Sequence, residues 1–155
     1  MSGKLNHTPA RILQQLLIDK YVVTDPDNDL SWPCFHSQMP DDPDDAVAVY
    51  NTEGRVQGRT HYDKITTVKY GIQVAVRTNN HEAGYLKMEY IKHELEEVER
   101  RSVTIDDSTY KVQAVHLTSP ILDLGKEQES SRHRYTLNAI ASIRFDTYVG
   151  TGTGT

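Results

Sequence analysis

Cysteine, tryptophan and phenylalanine are scarce in this chain: of 155 residues, one is cysteine, one tryptophan and two phenylalanine. The single thiol, Cys34, cannot close an intramolecular disulfide, so the sequence predicts a fold held by its own core and made in a reducing compartment. Long apolar runs are also missing. No stretch approaches the roughly 20 apolar residues that span a bilayer, and the opening MSGKLNHTPARIL lacks the apolar segment of a secretion signal. The expectation is a soluble protein with no membrane partner. Positive charge is in deficit, 17 Lys and Arg against 22 Asp and Glu, for a net charge of −5. That balance argues against general attraction to phosphate backbones.

The length suits one domain over residues 1–155, with VGTGTGT, from about residue 148 onward, as a flexible end. Nine tyrosines supply amphipathic rings, which suit interfaces and ordinary strand surfaces alike. Thr8-Pro9 has the form of an N-cap followed by proline at the first helical position. Ile12, Leu13, Leu16 and Leu17 then recur at helical spacing, predicting a helix to about Tyr21. From Thr24 to Asp45 the chain is rich in Pro, Asp and Ser, with Trp32, Phe35 and Met39 as anchors, and reads as a long ordered loop. Ala46 to Tyr50 reads as a strand ended by a turn at Asn51-Thr52-Glu53-Gly54, before a second polar loop carrying Arg55, Gly58, Arg59, His61 and Tyr62 up to Lys69.

Tyr70 to Arg77 alternates cleanly, Ile72, Val74 and Val76 against Gln73, Ala75 and Arg77. Asn79 with Glu82 has the logic of a capping box. Tyr85, Met88, Ile91, Leu95 and Val98 then form one helical stripe, with Lys87, Glu89, Glu94 and Glu96 in water. Val103 to Ile105 and Tyr110 to Leu117 read as a hairpin around Asp106-Asp107-Ser108. After a loop ILDLGKEQESSRH, a final strand sets Leu137, Ala139, Ala141 and Ile143 against Thr136, Asn138, Ser142 and Arg144. The element order predicts an α+β domain, a mainly antiparallel sheet with two helices packed on one face.

Motifs that carry chemistry are weak. DPDND, Asp25 to Asp29, resembles the start of a calcium loop, but Leu30 stands where the turn needs glycine and His36 where a closing glutamate belongs. The seven histidines show no HExxH spacing, and Cys34 has no CxxC partner. A Cys34–His36 couple would need an orienting third group. VGTGTGT does not open a helix, as a dinucleotide fingerprint must. No catalytic, cofactor or metal residue is therefore assigned, and a non-enzyme is expected. Asp41, Asp42, Asp44 and Asp45, adjacent in a loop, read as solvating the turn before a strand.

Four phrases in order resemble a family of tailed-phage proteins, tail terminators also labelled minor capsid proteins. They are WPCF at Trp32 to Phe35, PDDPDDAVAVYNTEGR at Pro40 to Arg55, YGIQVAVR at Tyr70 to Arg77 and LTSPILDLGKE at Leu117 to Glu127. The resemblance implies a tail-terminator-like fold and a structural virion protein of the neck, assembled in the host cytoplasm, with no cofactor. It further implies a hexameric ring that ends the tail tube and joins it to the head. Its partners would be its own copies, the tail tube protein and a head-tail connector protein, with DNA passing through without specific binding. Interface residues expected on the two loops are Trp32, Phe35, Met39, Arg55, Arg59 and Tyr62, and an acidic lumen would use Asp41, Asp42, Asp44 and Asp45. The rival readings are a head-side connector of the same neck and a small hydrolase using Asp, His and Cys34.

Overall fold

Proline has no amide hydrogen to offer, and the first turn of a helix is where none is required. Helix α1, Pro9–Asp19, starts on that residue, and the Thr8 hydroxyl accepts from the Arg11 amide at 3.2 Å. Ala10, Ile12, Leu13, Leu16 and Leu17 are fully buried along its inner face. The computed structural model describes residues 5–28, 30–52, 65–127 and 131–146. The predicted turn at Asn51-Thr52-Glu53-Gly54, the loop carrying Arg55, Gly58, Arg59, His61 and Tyr62, and the Gly/Thr tail lie outside the described residues, apart from Asn51 and Thr52 and the loop's last residues.

Among the described residues seven strands form one sheet: β1 (Cys34–His36), β2 (Ala46–Thr52), β3 (Ile65–Thr78), β4 (Arg101–Ile105), β5 (Ser108–Leu117), β6 (Leu122–Lys126) and β7 (His133–Asp146). Their order is β1-β2-β3-β7-β5-β4, with β6 also on β7. The β1–β2 pair is parallel and the rest are antiparallel, so the α+β, mainly antiparallel reading holds in a mixed sheet. Two strands lie where the sequence reads as loop. β1 sits inside Thr24 to Asp45, and β6 inside ILDLGKEQESSRH. The predicted first turn and second loop also yield residues at their ends, since β2 runs on through Asn51 and Thr52 and β3 begins at Ile65. Asp106 and Asp107 make the expected hairpin turn, Asp106 with φ 53, a left-handed conformation that aspartate tolerates.

The registers put Val47 and Val49 of β2, Ile72, Val74 and Val76 of β3, and Leu137, Ala139, Ala141 and Ile143 of β7 on one face. These residues join the buried side chains of α1 and of helix α2, His81–Glu96, in one core cluster, so both helices cover the same face. Helix α1 touches β1 and β2 and also β4, at opposite ends of the strand order, so the sheet curls around it. Two bonds fix α1 on the sheet. The Asn51 side chain accepts from the Ala10 amide at 2.9 Å, and buried Gln14 donates to the Cys34 carbonyl at 2.6 Å.

Helix α2 departs from expectation in three places. Its cap is Asn80, which accepts from the Ala83 amide, while Asn79 donates to the Asp44 carboxylate. Met88, Ile91, Leu95 and Val98 are buried as expected, but Tyr85 is 42% exposed and Gly84 takes the place below it. A Cβ on Gly84 would sit 2.5 Å from the Thr78 methyl and 2.9 Å from the Tyr135 ring. The close approach of α2 to β3 and β7 is thus what requires glycine. Nor do Lys87 and Glu94 stay in water: Lys87 donates to the Val22 carbonyl at 2.9 Å and Glu94 pairs with Lys20 at 3.2 Å.

Candidate assembly surfaces

The acidic stretch Asp41 to Asp45 is clamped to the ends of β3 and β7. Arg77, only 2% exposed, donates through Nη2 to the Pro43 carbonyl at 2.6 Å and through Nε to that of Asp44 at 3.4 Å. Thr78 donates to the Asp45 carboxylate at 2.5 Å. From 91 residues away, Arg132 donates to the Asp41 carbonyl at 2.7 Å. The Arg132 guanidinium also lies 3.7 Å from the Asp44 carboxylate and 3.2 Å from that of Glu127. Burial pushes the Arg77 pKa down, and nearby Arg132 adds to the push. Five carboxylates, those of Asp41, Asp42, Asp44, Asp45 and Glu127, stand against the guanidiniums of Arg77, Arg132 and Arg134. A negative surplus therefore remains, and it projects: the Asp41 side chain is 98% exposed.

Of the six expected interface residues, three lie among the described residues. Trp32 is half-buried, with φ 58, and packs against the core. Lys87 Nζ sits 5.3 Å from its ring centroid and 5.5 Å from that of Tyr90, so the Trp32 loop is held to α2 by a cation between two rings. Burial pushes the Lys87 pKa down. Phe35 is half-buried on β1 opposite Ala48, and Met39 is half-buried in the following loop. Trp32 shares a groove of about 390 Å³ with Leu30, Pro43, Asp44, Asp45 and Asn79. Phe35 lines a different groove, of about 320 Å³, with Arg11, Asp25 and His36. Trp32 is thus placed beside the acidic stretch and Phe35 apart from it.

Sequence periodicity passed over a more exposed apolar set. Leu86 and Tyr90, four apart on α2, are 60% and 45% exposed beside Tyr85, and Leu122 and Leu124 on β6 are 39% and 57% exposed. The signal was present as apolar residues lying off the α2 stripe, and as two leucines alternating in LDLGK. β6 pairs only with β7, so among the described residues its other edge is open, as is the outer edge of β4, whereas Thr24 and the Gln14 side chain bond the outer edge of β1. Open edges are where a sheet accepts another chain.

The candidate catalytic groups are built into the structure differently. Cys34 is fully buried, and burial pushes its thiol well above the ordinary range, which disfavours the nucleophilic thiolate. His36 is exposed, its pKa lowered by burial of part of the ring and by Arg11. Asp25 accepts from the Asp27 amide at 2.9 Å, so the start of DPDND is a local turn whose carboxylate bonds its own backbone. His81 lies 3.2 Å from the Asp123 carboxylate and its ring meets that of His133. The Gly125 amide and His81 hold the Asp123 carboxyl below its usual range. Among the described residues, no three His, Cys, Asp or Glu side chains are grouped to hold a metal ion.

A small α+β protein with its polar chemistry spent on clamping loops, and with apolar side chains and strand edges left open, has the features of a structural subunit that works by contact. Comparison with known families gives that class a place. A family model described as bacteriophage tail terminator protein matches residues 16–145. The chain belongs to the bacteriophage tail terminator family and so is a structural component of a phage tail. No curated protein matches it.

Proposed function

We propose that the chain forms a closed ring of six copies that terminates the tail tube of a long-tailed phage and joins the tail to the head. The carrying observation is the family match over residues 16–145. The surfaces support it. A ring is a heterologous assembly, in which one face of a copy meets a different face of the next. This subunit offers such unlike faces: the clamped acidic stretch at one end of β3 and β7, the open edge of β6 with Leu122 and Leu124, and the Leu86–Tyr90 face of α2. Trp32, Phe35 and Met39, with Arg55, Arg59 and Tyr62 on the second loop, belong to contacts with neighbouring copies, the tail tube protein or a connector protein. Six copies at −5 each would present a repelling field to DNA, so the genome passes without being gripped. The test is genetic. Phage lacking the protein are expected to accumulate filled heads and unattached tails, and normal joined virions from such a mutant would contradict the proposal.

A further inference from the structure

The outer face of the sheet carries a basic strip. Lys111 of β5 and Arg144 of β7 are direct cross-strand partners, and Lys69 of β3 stands opposite Ser142, one outward position along β7 from Arg144. Like charges placed directly opposite one another destabilise a sheet. Yet among the described residues no hydrogen bond or ion pair holds any of these three side chains. Lys111 and Arg144 line a cavity of about 310 Å³ in which Asp107 is the one carboxylate among the described residues. Three cations that pair with none of the described residues, in a chain that is acidic overall, are a surface shaped for an anion supplied from outside.

The same subunit displays the complementary charge elsewhere. The acidic stretch is fastened at the Arg77 end of β3, eight residues from Lys69, which at ~3.3 Å per residue places the two charged surfaces about 26 Å apart at opposite ends of the sheet. Neither surface can satisfy the other within one copy. Between copies they can meet, and a contact of one end with the opposite end of the next molecule is heterologous, as ring closure demands. The clamp by Arg77 and Arg132 also pre-orders the acidic loop, so little conformational freedom is lost on docking.

Resting on the ring reading above, we infer that Asp41, Asp42 and Asp44 of one copy dock on the Lys69–Arg144–Lys111 strip of the next and make the head-to-tail contact of the ring. This gives the aspartates a place between subunits instead of on a channel wall. A DNA duplex is the other polyanion that could sit on the strip, but a subunit with net charge −5 opposes its approach, whereas the acidic loop is delivered by the ring itself.

Zero-length carbodiimide cross-linking of the full-length protein tests this, alone and with purified tail tubes, using mixed light and heavy isotope copies to identify links between molecules. Expected are links from Lys69 or Lys111 to Asp41, Asp42 or Asp44 between copies, fewer at about 0.5 M than at about 0.05 M NaCl. Lys111→Glu and Asp42→Lys should each weaken assembly roughly tenfold or more without lowering the melting temperature, which Lys111→Glu can raise by placing an opposite charge across from Arg144, and the two together should restore assembly. Rings whose links map elsewhere overturn the docking and leave the ring standing. No assembly under either condition overturns both. A short DNA duplex that binds wild type but not Lys111→Glu, with assembly unaffected, assigns the strip to DNA and overturns the docking.

Discussion

Replacing Arg77 by methionine removes the charge that holds the acidic stretch while keeping much of the side-chain bulk. The guanidinium is 2% exposed and makes a 2.6 Å bond to the Pro43 carbonyl and a longer, weaker one to Asp44. A hydrogen bond from a charged donor contributes about 1.5–3 kcal/mol. Pro43 and Asp44 are exposed, so water can take over their carbonyls and the full cost of burying an unpaired acceptor does not apply. Methionine also avoids the desolvation of a buried cation, which offsets part of the loss. A net destabilisation of about 2 kcal/mol remains, which for a chain of this size lowers Tm by ~4–8 °C. The effect should be local as well: in hydrogen exchange followed by mass spectrometry, amides from Asp41 to Asp45 should exchange faster while those of α1 keep their protection. An Arg77→Met protein melting at or above the wild-type temperature, with unchanged exchange in that stretch, would refute the clamp.

Gly84→Ala should destabilise despite adding a good helix former. The helix gains about 1 kcal/mol, but the new methyl meets Thr78, whose hydroxyl is committed to Asp45 and the Asn80 amide, and overpacking of ~1–3 kcal/mol outweighs the gain; denaturant titration showing a more stable variant would contradict the packing described. Ile91→Asp places an unpaired charge at a fully buried site, a cost of several kcal/mol against a total stability of about 5–15, so no folded protein is expected, and a soluble variant with a cooperative melt would show the core to be wrongly assigned. Cys34, buried and with its thiol shifted upward, should react with a thiol reagent only at the rate of unfolding; rapid stoichiometric labelling of native protein would contradict its burial.

The legible parts of the fold were those specified by short-range pattern. The Thr8-Pro9 start of α1, the alternation along β3 and β7, and the Asp106-Asp107 turn each need only a few neighbouring residues to be understood. β1 and β6 were missed because strands of three and five residues carry too little period to count, and what makes them strands is their pairing with β2 and β7. Gly84 escaped notice for a related reason: a helix stripe is read from side chains, and this site is defined by the lack of one. The acidic stretch was visible at once, but its meaning depended on Arg77 and Arg132, 34 and 91 residues distant. Arg77 in particular reads only as a residue on the face opposite Ile72, Val74 and Val76, since alternation tells which face a residue takes and not what covers that face.

The position and symmetry of this protein in the virion test the central reading most directly. A reconstruction of the phage neck, with the subunit fitted to density, is expected to show six copies closing a ring at the head-proximal end of the tail tube, each contacting its neighbours through unlike surfaces. Density placing the chain elsewhere in the particle, or as isolated copies that contact neither one another nor the tail tube, would contradict it.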